Sequence, residues 1–67
     1  MNVQVSTEMV TLVGQSLKGV ADGVLVPVKD MAGHFACISD NSEPRDGFDH
    51  LFSITIEGRE VQVYLKH

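Results

Sequence analysis

Apolar side chains change their spacing several times along this chain, and each change marks an element. Residues 2–5 (Asn-Val-Gln-Val) alternate polar and apolar, which predicts a short strand. From Thr7 to about Ala21 the period becomes helical. Met9, Val10, Leu12, Val13, Leu17, Val20 and Ala21 fall in one half of a helical wheel, opposite Thr11, Gln15, Lys18 and Asp22. Ser6 and Thr7 offer N-cap hydroxyls, and Glu8 puts a negative charge into the first turn, where the helix dipole favours it. Gly14 and Gly19 fall towards the polar half, and Gly23 is the expected stop.

Beyond it the period is two. Val24, Val26 and Val28 alternate with Leu25, Pro27 and Lys29, and Pro27 places this strand at a sheet edge or beside a bulge. Residues 29–33 read as a turn, His34 to Ser39 as the returning strand, and Asp40 to His50 as a polar loop with the turn pair Asp46-Gly47. Phe52, Ile54 and Ile56 then share a face, as do Val61, Val63 and Leu65 across a turn at Glu57-Gly58. A two-residue turn pairing Ile54 with Val61, or a four-residue loop pairing Ile56 with Val61, puts all six side chains on one side. The predicted fold is α+β: one amphipathic helix on an antiparallel sheet of four strands, five if residues 2–5 join, in the order (β)αββββ.

The chain of 67 residues holds a single domain spanning 1–67. At this length folding buries only about 60% of the surface of the unfolded chain, so support from self-association, as a homodimer, is expected. Cys37 is the single cysteine, which rules out an internal disulfide, and His34, His50 and His67 form no local ligand motif. No metal or other cofactor is expected.

Net charge is −4, and Lys18, Lys29, Arg45, Arg59 and Lys66 are scattered singly, so no nucleic-acid partner is expected. No apolar run approaches the ~20 residues of a membrane span, and no membrane partner is expected. A secretory signal is not recognisable at the start, which makes the cytoplasm the expected compartment.

Candidate chemistry is sparse. Asp40, Glu43, Asp46, Asp49 and His50 crowd one loop, but Pro44 and Arg45 break the calcium-loop template. That loop reads as a solvated connection with acids available to a partner. Cys37 and Ser39 with His50 and Asp49 contain the residue types of a nucleophile and base, without the spacing of any catalytic motif. The sheet face away from the helix would carry Leu51, Ser53, Thr55, Gln62 and Tyr64, with Leu25, Pro27 and Ile38 as further candidates. Tyr64 and Leu51 would anchor an interface there.

These features predict a small non-enzymatic accessory or regulatory protein acting by protein–protein binding. Its expected contacts are Leu51, Tyr64, Asp40, Glu43, Asp46 and Asp49. An inhibitor of a host protein, carried by a phage or mobile element, fits the same profile. Two alternatives stand beside it: a self-associating structural or assembly subunit, and a small-ligand or metal-binding domain using the loop 40–50.

Overall fold

The computed structural model describes residues 4–67. Asn2 and Val3 of the expected N-terminal strand lie outside that range, and Gln4 and Val5 are exposed and belong to no strand. The described residues form α1 (Thr7–Ser16), β1 (Val26–Pro27), β2 (His34–Ile38), β3 (Phe48–Ile56) and β4 (Arg59–Lys66). The fold is α+β, one helix against a four-stranded antiparallel sheet.

Helix α1 begins where its cap lies, with the Ser6 hydroxyl accepting from the Met9 amide at 3.1 Å. It ends five residues sooner than its apolar period suggests. Gly19 adopts φ +76°, a left-handed conformation that glycine takes without steric cost, and Leu17 is already the C-cap. Ser16 fastens the exit: its hydroxyl donates to the Leu12 carbonyl at 2.9 Å and accepts from the Lys29 amide at 2.6 Å. Gly23 therefore lies in a later turn, where its amide donates to the Ile38 carbonyl at 2.9 Å.

Gly14 faces the sheet, contrary to the wheel. A Cβ there would meet Ile56 Cγ2 at 3.8 Å, an ordinary contact. Gly14→Ala is accordingly expected to stabilise the domain by about 1 kcal/mol through helix propensity. Thermal unfolding should show a midpoint raised by about 4–8 °C. A lowered midpoint would mean that β3 cannot accommodate the methyl group.

The hairpin takes the two-residue turn. Glu57 (φ +52°) and Gly58 (φ +77°) both have positive φ, the mirror-image turn whose twist suits antiparallel strands. Ile56 then opposes Arg59 and Ile54 opposes Val61. Val13 and Leu17 of α1 meet Val28, Ala36, Ile38, Val61 and Val63 in the core, with Phe52, Ile54 and Ile56 packed against it. Ile38 therefore belongs to the helix-facing side and not to the opposite one, because it pairs with Val61. β1, which contains Pro27, is a two-residue edge strand.

The strand order is β1-β2-β4-β3. β4 inserts between β2 and β3, which are each antiparallel to it and so parallel to each other. Ile38, the last residue of β2, pairs with Val61, whereas Phe48, the first of β3, pairs with Lys66. The connection 39–47 must therefore return along β4 past five residues, about 17 Å at the rise of a strand. Nine residues reach that far without full extension. The loop is thus a crossover, and its course decides what happens to the second face of the sheet.

Candidate functional site

Side chains alternate along β2 and β4, so Phe35, Cys37, Gln62 and Tyr64 point away from α1. An uncovered sheet face would leave them in water. Instead Cys37 is 0% exposed, and Gln62 and Tyr64 are each 1% exposed. Arg45 on the crossover loop provides much of the cover. Its guanidinium carbon lies 5.4 Å from the centre of the Tyr64 ring, and its Nη2 donates towards Cys37 Sγ at 3.6 Å. The Tyr64 hydroxyl, chiefly, raises the pKa of Arg45 above its ordinary value against the opposing effect of burial. Yet Tyr64 Oη itself lies outside hydrogen-bond geometry and has no partner among the described residues.

His50 and Phe48 close the other sides. The His50 ring stands edge-on to Tyr64 at 5.4 Å, and Phe48 stands edge-on to Phe35 at 5.1 Å. Gln62 ties the polar part together. Its Nε2 donates to the Ser39 carbonyl at 2.9 Å and to Glu60 Oε1 at 3.2 Å. Its Oε1 accepts from Ser53 Oγ and lies 2.7 Å from His50 Nε2. An amide oxygen only accepts, so this arrangement places the His50 proton on Nε2.

Two expectations about this face are corrected. Tyr64 is not an exposed anchor, because the crossover and His50 cover it. Leu51 does not continue the row of Ser53 and Thr55. The β-bulge between His50 and Phe52 makes Leu51 the extra residue, half-buried, and His50 opposes Tyr64 in its place.

The expected loop 40–50 is also shorter, since β3 already begins at Phe48. Asp40, Glu43 and Asp46 remain on the crossover, exposed, and form no ion pair among the described residues. Asp49 stands apart on β3, where its Oδ2 lies 2.8 Å from Nε2 of His67. That pair is well exposed on both sides. Local turns shape the loop: Ser39 Oγ accepts from the Asn41 amide at 3.1 Å, and Asn41 Oδ1 accepts from the Glu43 amide at 3.0 Å.

The side chains that could have formed a nucleophile and base are engaged separately, Cys37 with Arg45 and His50 with Gln62. No group of three His, Cys, Asp or Glu side chains suited to a metal ion occurs among the described residues. No helix among them is long and apolar enough to cross a membrane. Elsewhere, a half-open cleft of about 550 Å³ lies between the end of α1 and the hairpin turn. Leu17, Ile38, Ile56 and Val61 line it, with Lys18 and Arg59 at its rim. Arg59 is held there by an ion pair with Asp22.

Sequence reasoning missed Arg45, and it placed Gln62 on this face without its role; these two residues organise the second face. One signal for them exists. In 34–38 and 61–65 both alternating rows avoid charge, apart from His34 at one end, which is the mark of strands covered on both sides.

Comparison with known proteins finds no matching family model, no similar curated protein and no similar solved structure.

Proposed function

We propose that this chain is a small protein-binding module without catalytic activity, and that its contact is the crossover loop. One observation carries the reading: Asp40, Glu43 and Asp46 stand exposed, without an ion pair among the described residues, on a segment that Arg45 seats on a buried aromatic surface. A seated loop loses less conformational entropy on binding than a free one, and three solvated carboxylates suit a basic patch on a partner. An accessory or inhibitory role towards a larger protein fits this geometry.

A second reading is self-association. β3 is an edge strand of nine residues with no Pro, Lys or Arg, and its bulge and the exposed Asp49 are its protection against pairing.

Affinity capture with the tagged protein separates the two. The comparison bait is the triple variant Asp40→Lys, Glu43→Lys, Asp46→Lys. The expected outcome is one stoichiometric partner, held by the native bait and lost from the variant. A partner held equally by both would remove the loop as the contact. A bait that recovers only itself, with a mass rising with concentration, would favour the β3 edge.

A further inference from the structure

We propose that the crossover 39–47 is a lid, which opens while the helix and sheet stay folded and uncovers a cryptic face centred on Tyr64 and Cys37. The loop is anchored at its ends and at one point between them. At one end Gln62 Nε2 donates to the Ser39 carbonyl, and at the other the His67 amide donates to the Gly47 carbonyl at 2.8 Å. From Asp40 to Gly47 the side chains are exposed, with the single exception of Arg45. What holds the span down is therefore Arg45: its carbonyl accepts from the Phe48 amide at 3.1 Å, and its guanidinium makes a ring contact at 5.4 Å and a weak N–H···S contact at 3.6 Å.

Closure also carries a cost. Tyr64 Oη is buried without a hydrogen-bond partner among the described residues in the closed arrangement, whereas opening would return it to water. Nothing in the other layer depends on the loop: Val13, Leu17, Val61 and Val63 meet on the helix-facing side of the sheet. The loop thus has few buried contacts and a separate core beneath it, the combination that permits local opening below the free energy of global unfolding. The surface released would hold Tyr64 and Cys37, both buried in the closed molecule, beside the half-buried Phe35 and Phe48.

Cys37 reports the motion, because a fully buried thiol reacts only when something moves aside. The experiment follows labelling of the native protein by an aromatic disulfide reagent, as a function of urea, in three variants. Global unfolding is measured alongside by circular dichroism. For a lid, labelling at low urea should be faster than global unfolding allows and nearly independent of urea. Arg45→Ala should accelerate it about tenfold, which corresponds to about 1.4 kcal/mol. Arg45→Lys, which keeps the charge but loses the planar fork, should fall between the two.

Ile54→Val is the control. Ile54 packs against the core on the helix-facing side, so its truncation should lower global stability and leave the labelling rate unchanged. Labelling that follows Ile54→Val, or that rises with urea as steeply as global unfolding, would overturn the lid. So would an Arg45→Ala protein that folds and labels at the native rate.

Discussion

Tyr64→Ala is expected to destabilise the protein by about 3–5 kcal/mol, the range for removing a large buried aromatic side chain. Stability of about 0.05–0.15 kcal/mol per residue leaves a chain this short little margin, so a large fraction should be unfolded at room temperature. The ring stands between Arg45, His50 and the sheet, all on the face away from the helix. Its loss would leave a hole that the loop closes only by moving. Circular dichroism with urea titration measures the loss. Tyr64→Phe tests the reason, since it keeps the ring and removes a buried hydroxyl that has no partner among the described residues. Such a change should be neutral or stabilise by up to about 1 kcal/mol. A cost above about 1 kcal/mol would show that the hydroxyl makes a bond in solution. An exposed Tyr64, as the sequence pattern predicts, would make both substitutions nearly silent.

Gln62→Leu should cost about 2 kcal/mol, although it replaces a buried polar side chain with an apolar one of similar size. Burying a leucine is ordinarily favourable, but here the amide has partners that stay behind. The Ser39 carbonyl and the side chains of His50, Ser53 and Glu60 all meet it. The three side chains are exposed and can turn to water, so the main loss falls on the Ser39 carbonyl, at the start of the crossover. Urea titration gives the magnitude. Amide exchange gives the place, with faster exchange expected around residues 39–41 and little change in α1. A Gln62→Leu protein as stable as the native one would mean that packing outweighs this network.

The two substitutions act on one consequence of topology. Were β2 and β3 joined by a hairpin, the loop would lie beyond the end of the sheet and the face of Tyr64 and Gln62 would meet solvent. Because β4 lies between them and α1 occupies the other face, the connection travels over that face. The crossover thereby supplies a second, thinner layer with Arg45 as its main contact. For a domain too small to build one large core, a few buried residues on the second face contribute stability that the helix-facing core lacks.

Most of the elements are legible in local pattern. The Ser6 cap, the apolar stripe through Val13 and Leu17, the edge position of Pro27 and the hairpin around Glu57-Gly58 depend on residues within a few positions of one another. Propensity, capping and turn chemistry act over that range, so the α+β class follows from the chain read in order. The earlier end of α1 depends on one glycine whose conformational freedom the apolar period hides.

The candidate site lay beyond that reach. Alternation places Cys37, Gln62 and Tyr64 on a common side, yet it is silent on strand order and on what covers that side. Two long-range choices settled those matters: β4 inserts between β2 and β3, and a bulge at Leu51 turns His50 towards Tyr64. Each depends on contacts between residues far apart in the chain, and their free energy comes from burial shared across the sheet. Local spacing determined which side chains travel together, and tertiary packing decided which of them meet water.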